Sequence, residues 1–307
     1  MMIGTGSAKI KRPKKIILDT DIGDDIDDAF ALALAIKSPE LEIVGVCIEN
    51  AIDGREKIAL KLIHLESRDD IPVSKGLEVP GLKGKPPANQ VSWSINYDLT
   101  KPCKLNAVDF IISKAKESSG EITLVTIGPL TNVSAALKKE PEIKNTIKEI
   151  VMMGGPFYVG YGIRIEQKPG SDYNLGCDPE AAKYIFTSGI PITSVGLQVT
   201  AHLKLWKENR NKIKNANIPL PNALWELYKL WGSENFLLWG SEVPTLYDPL
   251  AVAVTIDKTF VDRNLVHVEV NDNGDTRVVE GLPPNADVCT FVDKNRFIDF
   301  FMNRILS

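Results

Sequence analysis

The sequence predicts an α/β protein built on one mainly parallel, doubly wound sheet with helices on both faces. Short apolar runs alternate with longer helix-forming runs along most of the 307 residues, which is the pattern of β–α–β units. Acidic and amide residues directly follow several apolar runs, where strands would end. With 44% hydrophobic residues and no break in composition, the chain can bury one large core. We expect residues 1–307 to form one domain, with 1–14 as a flexible lead-in and a ligand site at the carboxyl edge of the sheet.

The individual elements follow from hydrophobic pattern and turn residues. Strands are predicted at 15–18, 41–48, 71–73, 121–127, 147–153, 191–197, 266–270, 276–280 and 287–292. Helices are predicted at 30–36, 55–65, 106–118, 133–139, 178–186, 220–240, 250–256 and 294–306. The turn residues at 271–274 predict a hairpin. Residues 88–104 fit no element and are predicted to form a mobile lid.

Charge and composition exclude several classes of function. A net charge of −4 argues against a nucleic-acid surface. The sequence shows no apolar run near the ~20 residues that a membrane span needs and no signal-peptide pattern. Its four cysteines are widely spaced, without a C-x-x-C pair, which is typical of reduced thiols. We therefore expect a cytoplasmic protein without a nucleic-acid or membrane partner.

The segment 19–28 carries six aspartates in ten residues: Asp19, Asp21, Asp24, Asp25, Asp27 and Asp28. It lies between an apolar strand and an apolar helix, so several carboxylates must face the sheet edge. Carboxylates at this spacing repel one another and raise each other's pKa. A helix N-terminus offsets only about 0.3–1 kcal/mol per charge, whereas a hard divalent cation with oxygen ligands offsets far more. The segment therefore predicts a metal or catalytic site.

Three kinds of site were compared with this segment, which we call the acidic loop. An EF-hand fails because Gly23 and Phe30 stand where oxygen ligands belong. A haloacid-dehalogenase phosphatase opens with D-x-D-x-T, but Gly23 replaces the Thr. The loop resembles most the motif D-T-D-P-G-x-D-D-A of the inosine-uridine-type nucleoside hydrolase family. Here Ile22 replaces the Pro, and two residues are inserted before Asp27-Asp28-Ala29.

Further segments resemble the same family in the same order along the chain. The matching segments are G-P-L-T-N at 128–132, V-M-M-G-G at 151–155, D-Y-N at 172–174 with D-P-E-A-A at 178–182, and Y-D-P-L-A at 247–251. The resemblance implies the nucleoside hydrolase fold and hydrolysis of the N-glycosidic bond of ribonucleosides to ribose and free base. It further implies a role in nucleoside catabolism and base salvage, and a homo-oligomer, either a dimer or a tetramer.

The resemblance also implies a set of site residues. A Ca²⁺ would be held by Asp21, Asp28, the carbonyl of Ile127 and Asp248. Asp21 would be the general base that takes a proton from a metal-bound water. Asp19 would orient the ligands from behind. The groups expected to bind substrate are Asp27 at the 2′-hydroxyl, Asn174 at the ribose hydroxyls, Asp172 near the 5′-hydroxyl, and Asp53 and Met153.

Two departures from the family pattern leave alternatives open. Because of the insertion, Asp24-Asp25 compete with Asp27-Asp28 for the second half of the motif; the helix that follows Asp28 favours the latter. Tyr247 stands where the family has the His that protonates the leaving base. Tyr247 is a weaker acid and either donates to the base or forms a wall of the base pocket. The base preference stays open.

Two other functions compete with hydrolysis of nucleosides. One is a Mg²⁺ phosphatase with Asp19 as the nucleophile, which leaves the segments at 151–155 and 247–251 unexplained. The other is a non-catalytic nucleoside or sugar sensor on the same fold, which Tyr247 makes plausible. Zinc is not expected, because the three histidines are not spaced for ligation.

Overall fold

The structure is a computed structural model that describes residues 12–51, 54–84, 88–157 and 172–307. Asp53, predicted to bind substrate, and most of the long loop before Asp172 lie outside the described residues. Lys14, placed in the lead-in by the sequence, is instead the first residue of a strand and donates its backbone N–H to Glu40 at 2.8 Å.

The described residues form one sheet of nine strands. In chain order the strands are β1 Lys14–Thr20, β2 Leu41–Ile48, β3 Val73–Lys75, β4 Ile122–Thr126, β5 Ile147–Met153, β6 Ile192–Val195, β7 Val261–Val270, β8 Thr276–Val279 and β9 Ala286–Val292. The order across the sheet is β3-β2-β1-β4-β5-β6-β9-β7-β8. Every neighbouring pair from β3 to β9 is parallel, and β7 runs antiparallel to both β9 and β8. The predicted fold class is confirmed.

The α-helices of the described residues lie between these strands. They are α1 Asp27–Ile36, α2 Glu56–Leu65, α3 Ala107–Glu117, α4 Thr131–Lys139, α5 Tyr173–Cys177, α6 Pro179–Phe186, α7 Leu197–Thr200, α8 Lys207–Lys214, α9 Pro219–Trp239, α10 Tyr247–Ile256 and α11 Lys294–Ile305. The predicted bounds differ most at β3 and β7. β7 begins earlier than its apolar run because Val261 pairs with Val292 of β9, a contact that no local pattern reveals.

Side chains of the parallel strands alternate between two hydrophobic clusters, one on each face of the sheet. Ile16 and Leu18 of β1 belong to the cluster with α1, α9, α10 and α11, and Ile17 belongs to the cluster with α3, α4 and α6. A strand that is buried on both faces has the near-continuous apolar run seen at β1. The sheet therefore carries helices on both faces, as the sequence predicts.

The helices α1 and α10 are the most deeply buried of the first face. All ten residues of α1 and most of α10 are buried. After their first residues, both helices consist mainly of Ala, Leu, Val and Ile. A helix that is apolar on all sides belongs in a core. The two helices pack against each other, so their N-terminal turns are brought together at one edge of the sheet.

Residues 88–104, predicted as a mobile lid without elements, contain a 3₁₀ helix, Asn89–Ser94, packed against α2 and α9. The Asn89 amide donates to the carbonyl of Leu230 at 3.0 Å, and the Gln90 amide donates to the carbonyl of Gly23 at 2.9 Å. The segment thus supports the acidic loop. None of the helices in the described residues is long and apolar enough to span a membrane.

We predict that Gly45→Ala lowers the free energy of unfolding by about 1–3 kcal/mol, because a Cβ on this strand residue would overlap the ring of Phe110. Gly232→Ala is the matched control: in α9 a Cβ would meet only ordinary contacts near 3.7 Å, so gained helix propensity should raise stability by up to about 1 kcal/mol. Urea unfolding measures both. Equal effects of the two variants would contradict the packing at Gly45.

Candidate active site

The carboxyl ends of β1, β4 and β5 lie side by side because these strands are parallel neighbours. The acidic loop leaves β1 at this edge, Ile127 follows β4, and Met153 ends β5. The N-terminal turns of α1 and α10 point to the same edge. The predicted site residues that the structure describes therefore meet where ligands bind in open α/β sheets.

Three carboxylates form the centre of the site. One oxygen each of Asp27, Asp28 and Asp248 lies within 4.8 Å of the others, and all three residues are buried. Asp27 and Asp28 come from the first turn of α1 and Asp248 from the first turn of α10. The backbone N–H of Asp248 donates to Asp27 at 3.2 Å, and the Thr20 hydroxyl donates to Asp28. We call these three residues the carboxylate cluster.

Asp21 lies beside the carboxylate cluster, and its charge helps to raise the pKa values of Asp28 and Asp248. Its side chain rests on Gly128, where a Cβ would stand 2.8 Å from Oδ1, so only glycine leaves room for it. Buried Arg55 donates to the carbonyl of Asp21 at 2.8 Å. Burial first, then the charge of Asp24, raises the pKa of Asp21 to about 7.

The electrostatics of the carboxylate cluster call for a cation. Burial first, then mutual repulsion, raises the pKa values of Asp27, Asp28 and Asp248 well above the ordinary range. Two helix N-termini offset only part of this. The atoms that could bind a metal are all oxygens, which suits a hard ion such as Ca²⁺ or Mg²⁺ and not zinc. The residues present therefore fit a metal site.

The amide of Asn174 links two of the strand ends. Its Nδ2 donates to the carbonyls of Ile127 at 3.1 Å and Met153 at 3.2 Å. The carbonyl of Ile127, a predicted metal ligand, thus already accepts one hydrogen bond. Asp172 caps α5: one oxygen accepts from the N–H of Leu175 at 2.8 Å and the other from Gly155. A ligand that contacts Asp172 would share its two oxygens with the N–H groups of Leu175 and Gly155.

Asn132, Asp19 and Glu49 form a buried polar group behind the site. The sequence analysis did not predict this group. Asn132 donates through its amide to Asp19 at 2.9 Å and through its backbone N–H to Glu49 at 2.8 Å. Burial first, and then the charge of Asp19, raise the pKa of Glu49 well above its ordinary range. The position of Glu49 directly after β2 could have indicated that it belongs to the site, because other site residues also directly follow a strand.

Comparison with known proteins agrees with this geometry. A family model described as "Inosine-uridine preferring nucleoside hydrolase" matches residues 16–299. The chain belongs to this family. It is 30% identical to a pyrimidine-specific ribonucleoside hydrolase, RihA, of Shewanella sp. (strain MR-7), over 95% of this chain and 96% of that protein.

Two solved structures are similar over nearly their whole length. One is a plant nucleoside hydrolase, PpNRh1, with a TM-score of 0.84 and 27% identity over 96% of this chain and 99% of that one. The other is a purine-preferring ribonucleoside hydrolase from Gardnerella vaginalis, with a TM-score of 0.82 and 29% identity over 95% and 98%. The predicted family and enzyme class, hydrolysis of the N-glycosidic bond of nucleosides, are confirmed.

The family does not favour the phosphatase alternative, and neither does the position of Asp19. Alternation along β1 directs Thr20 to α1, where it meets Asp28, and Asp19 to α4, where it meets Asn132. Asp19 is 1% exposed. A phosphoryl-accepting nucleophile needs open space at its oxygen, which this environment does not provide.

Asp24 and Asp25, the alternative pair for the second half of the motif, lie outside the carboxylate cluster. Asp24 accepts from buried Arg55 at 3.2 Å, and its other oxygen accepts from the Tyr173 hydroxyl at 3.4 Å. Asp25 accepts from the N–H of Ile26 at 2.6 Å, and Gln90 holds its carbonyl at 3.0 Å. The insertion therefore bulges toward α2 and α5 and leaves Asp27 and Asp28 to face Asp248.

Tyr247, the other departure from the family pattern, is the first residue of α10 and half-buried beside the carboxylate cluster. Burial raises the pKa of its phenol to about 12, and the hydroxyl of Thr245 opposes that rise. Tyr247 is therefore protonated at neutral pH and available as a hydrogen-bond donor.

We predict that the stability of the metal-free protein falls as pH rises. The pKa of Asp21 is raised from 3.8 to about 7, and the pKa values of the carboxylate cluster rise as well. Between the ordinary pKa of 3.8 and the raised pKa of about 7, the folded protein binds more protons than the unfolded chain. The stability that these protons contribute is therefore fully present below about pH 4 and is lost as pH rises through about 7. At about 1.4 kcal/mol per pKa unit and roughly 2–4 °C per kcal/mol, Tm should fall by roughly 5–10 °C.

Thermal unfolding in a chelator at pH 5 to 8, with and without added Ca²⁺, measures this. Ca²⁺ should restore Tm most at the high end, where the carboxylates are ionised. A Tm that stays constant or rises over this range in chelator, with no response to Ca²⁺, would contradict the electrostatics described above.

Proposed function

We propose that this protein hydrolyses the N-glycosidic bond of ribonucleosides to ribose and free base with Ca²⁺ bound at the carboxylate cluster. The observation that carries the proposal is the meeting of Asp27, Asp28 and Asp248 at two helix N-termini, with Asp21 beside them. Such a cluster is costly without a cation and is chemically suited to one. Asp21, Asp28, Asp248 and the carbonyl of Ile127 would hold the ion.

A bound divalent cation would supply acidity to nearby water and neutralise the carboxylates. Asp21 is the general base: it accepts a proton from the attacking water while that oxygen bonds to C1′ and the C1′–N bond breaks. Burial raises the pKa of Asp21 in the metal-free site to about 7, and a bound cation would lower it again, which leaves the carboxylate ionised and able to accept the proton. The oxocarbenium-like sugar is stabilised by the negative charge around it.

The remaining residues hold the ribose. Asp27, at the edge of the carboxylate cluster, would accept from the 2′-hydroxyl, and Asn174, fixed at two strand ends, would bind the ribose hydroxyls. Met153 would line the pocket beside Asn174. Asp172 and Asp53 would complete the contacts. The relatives named above include both pyrimidine-specific and purine-preferring enzymes, so substrates of both kinds belong in every test.

We predict that Asp21→Ala lowers kcat for base release by roughly 10²–10⁴-fold, the usual contribution of a general base. Release of free base and reducing sugar from inosine, adenosine, guanosine, uridine and cytidine measures this. Asp109→Asn, in α3, where the carboxylate pairs with Lys139, is the control and should match the wild type. Wild-type kcat in Asp21→Ala would refute its role. A wild type that binds nucleosides without turnover would identify a sensor.

We predict that Asp28→Asn weakens Ca²⁺ binding by more than ten-fold, because it removes charge from the carboxylate cluster. Asp24→Asn is matched in chemistry and lies in the same loop, but it faces Arg55, so its affinity should stay within a few-fold of the wild type. Calorimetric titration of Ca²⁺ into the metal-free protein measures the affinity of both variants. If Asp24→Asn shows the larger loss, the inserted residues are the ligands and the assignment of the motif is wrong.

A further inference from the structure

The backbone of the acidic loop is held by two buried side chains from other parts of the chain. Arg55, the N-cap of α2, donates to the carbonyl of Asp21 at 2.8 Å. Gln90, in the 3₁₀ helix packed against α2, donates through its amide nitrogen to the carbonyls of Gly23 at 2.9 Å and Asp25 at 3.0 Å. Both side chains are 1% exposed. We call Arg55 and Gln90 the loop clamp.

The middle of the loop is seated on the elements that carry the loop clamp. A Cβ at Gly23 would stand 3.2 Å from Cδ1 of Ile58 in α2 and 3.4 Å from the Cβ of Ala88, which precedes the 3₁₀ helix. Gly23 has a φ of +114°, a conformation that glycine adopts at little cost. Among the described residues the other amide atom of Gln90, Oε1, accepts no hydrogen bond. Burying that oxygen is unfavourable, so the role of Gln90 lies in its two donor contacts with the loop.

The clamped segment carries residues proposed to bind the metal. Asp21 is its first residue, and Asp28 follows it in the first turn of α1. Holding a backbone in one conformation costs entropy, and a loop that is ordered beforehand removes this cost from the binding step. The charge of Arg55 acts in the opposite direction, because a cation repels a metal ion; Asp24 pairs with that charge at 3.2 Å. Arg55 can therefore favour metal binding only through its hydrogen bond to the loop.

We propose that Arg55 and Gln90 are positioning residues, which hold the acidic loop in the geometry that binds Ca²⁺ before the ion arrives. Both act through backbone carbonyls of the loop, and neither is a ligand of the ion. The inference rests on the proposed function, in which Ca²⁺ binds at the carboxylate cluster. It extends the site to α2 and to the 3₁₀ helix, whose hydrogen bonds to the loop would set the affinity for the ion.

The variants Gln90→Met and Asn89→Leu separate this role from general support of the 3₁₀ helix. Each replaces an amide with an apolar side chain of similar size, but Asn89 donates to the carbonyl of Leu230 in α9. Calorimetric titration of Ca²⁺ into the metal-free protein measures both. We expect Gln90→Met to lose affinity on the order of ten-fold to a hundred-fold, because binding must then order one or two further residues. Asn89→Leu should stay within a few-fold of the wild type.

Arg55 is tested at constant net charge with the double variant Arg55→Met/Asp24→Asn, which removes a cation and an anion together. If Arg55 acted through its charge alone, this variant would bind Ca²⁺ as the wild type does, and Arg55→Met alone would bind it more tightly. The loop clamp instead predicts that both variants bind Ca²⁺ about ten-fold more weakly. Circular dichroism and urea unfolding establish that each variant is folded, and the Gln90→Met titration decides the inference if Arg55→Met does not fold.

Activity at two Ca²⁺ concentrations completes the test. For Gln90→Met, kcat on nucleosides should fall at limiting Ca²⁺ and return to within a few-fold of the wild type at saturating Ca²⁺. Wild-type Ca²⁺ affinity in Gln90→Met, an equal loss in Asn89→Leu, or tighter binding in Arg55→Met would overturn the inference. A wild type that binds Ca²⁺ but releases no base would refute the proposed hydrolysis alone, since the titrations still decide the role of the loop clamp. A wild type that takes up no Ca²⁺ would refute both.

Discussion

The burial of several like-charged carboxylates at one edge of the sheet is the constraint on which the rest of the structure depends. Two unit charges 4 Å apart interact by about 4 kcal/mol at the effective dielectric of a partly buried site, and one oxygen each of Asp27, Asp28 and Asp248 lies within 4.8 Å of the others. The fold meets this cost with the N-terminal turns of α1 and α10, hydrogen bonds from Thr20 and a backbone N–H, and a geometry that suits a divalent cation. The apolar packing of α1 against α10 holds the carboxylates together, because it leaves neither helix free to turn away.

The polar groups behind the site show how such an arrangement is kept in one geometry. Asn132, on α4, donates to one oxygen each of Asp19 and Glu49, while Asn174 bridges the ends of β4 and β5. These two side chains stand on the helices α4 and α5, and helices position a site more accurately than loops do. Glu49 lies in the same buried environment, and its pKa is raised by burial first and then by the charge of Asp19, because two carboxylates this close together are costly to ionise.

The two departures of this chain from its family pattern lie on the same side of the site. The charge of Asp25 helps to raise the pKa of the substituted Tyr247, whereas the carboxylate cluster itself is built from the residues that the family motif would place there. The side that would hold a metal and ribose and the side that would hold the base can therefore vary separately. This is the expected behaviour of a site whose ligands come from helix termini and whose rim comes from the connections between elements.

Hydrophobic period and strand-end polar residues are local signals, so the sequence was enough to predict the nine strands, most of the longer helices and the edge on which the site lies, but not the short helices α5, α7 and α8. The pattern set β2 and β5 to the residue and placed Asp27-Asp28 at a helix start. The contacts between elements came from the folded structure alone. They join residues far apart in the chain, as in the pairing of β7 with β9, the hydrogen bond from Asn132 to Glu49 and the hydrogen bond from buried Arg55 to Asp21. Such contacts depend on how elements pack, and packing leaves no period in the sequence.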